Sequence, residues 1–190
     1  MNSFTDTNTT RPVFRQSPHF DARPANTEIS LLVIHNISLP AGQFAAKPEQ
    51  HAYVDDLFMG VLDPNADASF VDLAGVKVSA HCVIWRDGRV FQYVPFAKRA
   101  WHAGISQFAG RERCNDFSIG IELEGTDNLP YTDSQYQSLI MLTQQIMQFY
   151  PAITPQRIVG HSEIAPGRKT DPGSAFDWPR YQTAIKEFTL

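Results

Sequence analysis

The segment from Gly160 to Gly173, G-H-S-E-I-A-P-G-R-K-T-D-P-G, places His161, Lys169 and Asp171 in one short loop. It is too polar for a core segment, and its Pro and Gly content argues against a regular helix or strand along its length. A second histidine, His35, closes the apolar run I-S-L-L-V-I-H from Ile29 to His35. Two imidazoles and one carboxylate, with a fourth position left for water, suit a catalytic zinc. Zinc lowers the pKa of a water it binds to about 7 and polarises carbonyls. The spacing is no compact signature of the H-E-x-x-H kind, and with six histidines in the chain the pattern by itself is weak.

These residues need elements to carry them. Ile29 to His35 reads as a buried strand, short and rich in β-branched residues. Pro48 suits a first helical position, and Tyr53, Val54, Leu57, Phe58 and Val61 follow at helical spacing, so a helix is expected at about 48–60. Asp87-Gly88 between two β-prone runs predicts a hairpin, with strands at about 79–86 and 89–94. From Phe117 to Leu123, apolar Phe117, Ile119, Ile121 and Leu123 alternate with Ser118, Gly120 and Glu122. A period of two sends Glu122 away from the apolar face, onto the open side of the sheet. Thr132 and Gln135 match a capping box; Tyr136, Leu139, Ile140, Ile146, Met147 and Tyr150 continue as one stripe, and Pro151 stops it. A short strand, 157–160, leads into the polar loop, and Asp177 is placed to cap a last helix through about Phe188. Strands alternating with helices predict an α/β domain, a mixed central β-sheet flanked by helices. One domain over 1–190 is expected, with 1–27 as a polar extended arm lying on it.

Composition narrows the partners. The 190 residues are 43% hydrophobic and 19% charged, with a formal net charge of −4. An acidic balance without a basic patch gives no footing for nucleic acid. No apolar run approaches the roughly 20 residues of a membrane helix, and the polar start M-N-S-F-T-D-T-N-T-T has no secretory h-region, so a cytoplasmic protein with two reduced thiols is expected. With no obvious exposed apolar stripe, a monomer is expected. Cys114 beside Asn115 invites a cysteine-nucleophile reading, but nothing in the sequence lowers its thiol pKa. His81 and His102 read as structural histidines, hydrogen-bonded beside the sheet or lining the groove, and Trp101 as groove wall or core.

Several segments taken together are similar to a known family. They are S-P-H-F-D-A-R-P at 17–24, L-L-V-I-H-N-I-S-L-P at 31–40, S-A-H-C-V-I at 79–84, W-H-A-G-I-S at 101–106, C-N-D-F-S-I-G-I-E-L-E-G at 114–125, and the 160–173 loop. In this order they resemble the zinc-dependent N-acetylmuramoyl-L-alanine amidases, whose fold is shared with peptidoglycan recognition proteins. The resemblance is greatest to the cytoplasmic 1,6-anhydro branch, the AmpD type. It implies one Zn2+ per chain held by His35, His161 and Asp171. It implies Glu122 as the carboxylate that activates water and Lys169 as the cation beside the developing oxyanion. It places Asn36, Trp101 and Arg113 as contacts to a small muropeptide, with removal of the peptide from the anhydro-sugar in cell-wall recycling as the activity. Two alternatives stand beside it: a phage or periplasmic amidase of intact wall, and a non-catalytic peptidoglycan-binding module.

Overall fold

The computed structural model describes residues 12–45 and 52–188. In chain order its strands are β1 (Val13–Phe14), β2 (Phe20–Ala22), β3 (Leu31–Ile37), β4 (Cys82–Ile84), β5 (Val90–Gln92), β6 (Lys98–Ala100), β7 (Gln107–Phe108), β8 (Arg111–Glu112), β9 (Ser118–Glu124) and β10 (Ile158–Gly160). The helices are α1 (Tyr53–Met59), α2 (Asp133–Phe149), α3 (His161–Ile164) and α4 (Trp178–Phe188). Among the described residues the main sheet has six strands in the order β1-β5-β4-β9-β3-β10. It is mixed: β3 runs parallel to both β9 and β10, β4 parallel to β9, and only the β4–β5 hairpin is antiparallel.

The centre of the sheet is where the sequence was most apolar. Leu31 to Ile34 are fully buried, and alternation divides them between two faces. Leu32 and Ile34 join Ile119, Ile121 and Leu123 under α2 and α4, against Tyr136, Leu139, Ile146, Tyr181 and Ile185. Leu31 and Val33 face the other way, with Ala103, Cys114, Phe117, Val159 and Ile164. Phe117 therefore departs from the expected alternation. It lies before β9 begins, in a short 3-10 turn over Cys114–Asp116 and its cap, and turns to the face opposite Ile119. That face is also less open than expected: α1 covers it beside Val83 and Trp85, and the 103–117 segment covers it beside Val33.

Helix α2 starts as the capping box requires. Thr132 Oγ1 accepts from the Gln135 N–H at 3.1 Å, and Gln135 Oε1 accepts from the Thr132 N–H at 3.1 Å. The Gln135 amide then donates to the carbonyls of Ile84 and Glu124, at 3.2 and 2.9 Å, tying the helix start to two strands. Asp177 Oδ1 accepts from the Arg180 N–H at 3.0 Å at the head of α4. The hairpin turns at Asp87-Gly88 with Gly88 at φ +87°, although its regular strands are shorter than the apolar runs. The expected start of the first helix at Pro48 lies outside the described residues; α1 itself begins at Tyr53.

From residue 12 onward the N-terminal segment does more than lie on the domain. Val13 and Phe14 pair with Phe91 and Gln92 as an edge of the main sheet, and Phe20 to Ala22 pair with Lys98 to Ala100. Backbone groups left open by β5 and β6 are thereby satisfied. Among the described residues no helix is long and apolar enough to cross a membrane.

Candidate metal centre

Parallel pairing brings the distant histidines together. His35 sits near the C-terminal end of β3, opposite Glu122 of β9. On the other side of β3, β10 is in register with it, Gly160 opposite Ile34, so His161 emerges at the same end of the sheet. Gly160 is closely packed: a Cβ there would lie 2.8 Å from Pro172, the residue after Asp171. The loop carrying Asp171 is fixed by two further bonds, the Ser162 N–H to the Asp171 carbonyl at 3.0 Å and the Tyr131 hydroxyl to the Pro172 carbonyl at 2.8 Å.

Three atoms converge there. His35 Nδ1 and His161 Nδ1 are 3.0 Å apart, and Asp171 Oδ2 lies 3.1 and 3.0 Å from them. The imidazoles are buried and the Asp171 side chain is 13% exposed. For bonds of 2.0–2.1 Å the edge of a tetrahedron is about 3.3 Å, so this near-equilateral triangle is close to one face of a zinc tetrahedron. His161 Nε2 lies 3.1 Å from the Ala103 carbonyl. A carbonyl only accepts, so Nε2 carries the proton and a neutral ring leaves Nδ1 bare. Lone pairs turned towards a shared carboxylate oxygen repel one another unless a cation or a proton lies between. Nitrogen and oxygen donors of this kind fit a borderline metal ion.

The electrostatics agree. Burial lowers the His35 pKa to about 4, against the pull of Asp171 and with the help of neighbouring His161 and Lys169. Burial opposes ionisation of Asp171, yet the adjacent imidazoles of His161 and His35 outweigh it and hold this carboxyl well below its ordinary range. Glu122 goes the other way. Burial first, and then the Asp171 charge, push its pKa well above the usual value, with Lys169 opposing. Glu122 Oε1 lies 3.9 Å from His35 Nδ1, while the buried Oε2 has no hydrogen-bond partner. A carboxyl so placed is suited to taking up and releasing a proton.

The other candidates are less central. Lys169 is exposed, and its charge acts on both His35 and Glu122. Asn36 donates to Asp127 Oδ1 at 2.8 Å. Trp101 is half-buried and stacks on His19, with centroids 6.1 Å apart and planes 14° from parallel. Arg113 has a side chain 71% exposed and pairs with Asp116 at 3.3 Å. It lines a groove of about 490 Å³ with Ile105, Glu112, Pro166 and Arg168, rather than the converging triangle. Cys82 and Cys114 are free and buried, and burial raises both thiol pKa values, which removes the cysteine-nucleophile reading. Outside these residues the centre reaches back to His102, whose Nδ1 is 2.9 Å from His35 Nε2. In the sequence that position is marked only as part of the W-H-A-G-I-S segment, with no chemical role attached.

The family model for N-acetylmuramoyl-L-alanine amidase, Amidase_2, matches residues 25–174. The chain belongs to this family. It is an amide hydrolase acting at the N-acetylmuramoyl-L-alanine linkage. The 1,6-anhydro-N-acetylmuramyl-L-alanine amidase AmpD of Salmonella typhimurium strain LT2 is 57% identical to this amidase over 169 residues, 89% of this chain and 87% of that protein. The Escherichia coli K12 AmpD is 56% identical over 173 residues, 91% of each. A crystal structure of an AmpD derivative superposes with a TM-score of 0.86 at 56% identity, covering 92% of this chain and 94% of that one. Escherichia coli AmiD in complex with anhydro-N-acetylmuramic acid-L-Ala-D-γ-Glu-L-Lys gives a TM-score of 0.59 at 30% identity, covering 85% of this chain and 60% of that one.

Proposed function

We propose that this amidase is a cytoplasmic, monomeric, single-domain zinc enzyme of peptidoglycan recycling. Its substrate is the amide between 1,6-anhydro-N-acetylmuramic acid and L-alanine in soluble muropeptides. The observation that carries the reading is the triangle of His35, His161 and Asp171 with Glu122 beside it, its buried Oε2 without a hydrogen-bond partner. The two AmpD relatives named above are amidases of the anhydro-sugar, and the AmiD structure is a complex with such a muropeptide.

His35, His161 and Asp171 would hold one zinc ion. When bound, zinc polarises the scissile carbonyl and makes water acidic enough to attack at neutral pH. Glu122 takes the proton from the attacking water and returns it to the departing alanine nitrogen, which is a poor leaving group until protonated. Lys169 places a positive charge towards the oxygen on which negative charge develops; one preorganised group of this kind contributes about 2.7–4 kcal/mol. Asn36, Trp101 and Arg113 would contact the muropeptide, the exposed Arg113 guanidinium suiting a carboxylate of the stem peptide.

The test is mass spectrometry of products from purified anhydromuramyl-tripeptide, with and without chelator, alongside Glu122→Ala and Lys169→Ala. Released tripeptide that disappears with chelator, and with either substitution, supports the reading. Peptide release that chelator leaves untouched overturns the metal role. A variant that turns over like wild type overturns that residue's role. Release from intact sacculi with little from the soluble substrate selects the wall-hydrolase alternative. Zinc-free native protein that binds muropeptide without cleaving it selects the binding module.

A further inference from the structure

One dipeptide stands behind both imidazoles of the triangle. The Ala103 carbonyl accepts from His161 Nε2–H at 3.1 Å. The preceding side chain, His102, puts its Nδ1 2.9 Å from His35 Nε2, with the two rings near perpendicular at 87°. Both residues are held from below by Asn115, whose Oδ1 accepts from the His102 and Ala103 N–H groups at 3.0 and 2.8 Å. The far nitrogen of His102, Nε2, lies 3.1 Å from Ser118 Oγ.

The β9 sequence makes room for this ring. Ser118, Gly120 and Glu122 share one face of the strand. Ser118 meets the outer nitrogen of His102, and Gly120 lies beneath the ring. A Cβ at Gly120 would come within 2.5 Å of His102 Cγ and Nδ1, so any side chain there would displace it. The next position on this face is Glu122. One alternating run thus carries both the proton-handling carboxyl and the seat of His102.

Between His35 Nε2 and His102 Nδ1 one nitrogen donates and the other accepts. If His35 Nε2 donates, His102 Nδ1 is bare, His102 Nε2–H points at Ser118 Oγ, and His35 Nδ1 is left free for the metal. If the direction is reversed, His35 Nδ1 carries the proton and the ring ceases to be a ligand. We infer that His102 is a positioning residue of the metal centre: its Nδ1 accepts the His35 Nε2–H bond and, with the Ala103 carbonyl doing the same for His161, fixes both rings as Nδ1 ligands. This inference rests on the proposed metal site. Hydrogen-bond partners behind ligating histidines are typically worth 10–100-fold in metal affinity.

The experiment measures zinc dissociation constants by competition with a chromogenic chelator for wild type, His102→Asn and His102→Phe, with thermal unfolding of each metal-free protein as the stability control. Asparagine keeps an acceptor oxygen where His102 Nδ1 stood; phenylalanine keeps the ring and removes the acceptor. The expected result is zinc binding weakened about 10–100-fold in His102→Phe and largely restored in His102→Asn. Equal affinities for wild type and His102→Phe overturn the inference, and so do equal losses in both variants. Nitrogen NMR of zinc-loaded wild type reads the bond without any substitution. A 15N–15N coupling across His35 Nε2–H to an unprotonated His102 Nδ1 supports the inference, and a protonated His102 Nδ1 overturns it. Failure of wild type itself to bind zinc would instead bring down the metal reading.

Discussion

Gly173→Ala tests whether the loop after Asp171 has any slack. Gly173 has φ +81°, and a Cβ there would lie 2.1 Å from Asp127 Cα, 2.4 Å from its Cβ and 2.5 Å from its carbonyl oxygen. The left-handed conformation costs an alanine about 1–2 kcal/mol. Ordinary carbon contacts are about 3.5–4.0 Å, so the loop and the Asp127 backbone must separate by about 1.5 Å. Asp127 is held by the Asn36 amide and by the Ala175 N–H, at 2.8 and 2.9 Å, so much of the movement falls on the loop. Overpacking of this kind costs about 1–3 kcal/mol. A metal site tolerates displacements of only about 0.2 Å in its ligands. If the strain is relieved by moving Asp171, zinc affinity falls by that same 1–3 kcal/mol, roughly 5–150-fold. Gly167→Ala is the control. It lies in the same loop at φ +76°, with nothing within 4 Å of an added Cβ, so it carries the conformational cost alone. Chelator-competition titration and unfolding with and without zinc should therefore show both variants destabilised and only Gly173→Ala weakened in binding. Equal zinc affinities in the two variants would refute the reasoning.

Glu122→Gln should retain zinc, lose about 10²–10⁴-fold in turnover, and be more stable than wild type when metal-free at neutral pH. The raised pKa means that ionisation of Glu122 favours the unfolded chain as pH rises from 4.5 towards the folded value, so urea unfolding should show the gain vanish in acid. In that same background, metal-free stability should fall as pH drops below 6.5. The unfolded chain protonates its histidines there, whereas His35 and His81 resist down to about 4 and about 3; each pK unit is worth about 1.4 kcal/mol. A flat stability profile across that range would contradict the burial argument. Thr143→Val or Tyr181→Phe alone should cost about 1–3 kcal/mol, because each strands one end of a buried 2.7 Å hydroxyl pair, while the double substitution should cost less than the sum in a urea-unfolding cycle.

Those elements that could be read from sequence have a local cause. The run of buried residues at 31–34 marks a strand covered on both faces, Asp87-Gly88 marks a turn, and Thr132 with Gln135 marks a helix start. The pairs β2–β6 and β7–β8 have no such mark, because two or three residues are too short for periodicity to show. The ligand set was legible as residue types and through resemblance, but its convergence was not. His35 and His161 meet only because β10 pairs with β3 and not with another strand, a long-range choice that no window of sequence contains. From sequence, His102 reads as a structural histidine beside the sheet or lining the groove. Its bearing on His35 depends on Gly120 and Ser118, whose smallness looks like ordinary strand variation until the ring is seen above them.

Strand β10 is three residues long and lies at the margin of the sheet, with β3 as its sole strand neighbour among the described residues. Such a margin is ordinarily the first part of a sheet to peel away. Here the residue that follows it and the loop beyond would share an ion with the central strand, a rivet through the seam. The ion's binding energy then resists fraying at this border before it resists global unfolding. Amide hydrogen exchange at 158–173 would slow on metal loading far more than exchange in α2, so the enzyme's chemistry and the mechanical closure of its weakest seam would be lost together.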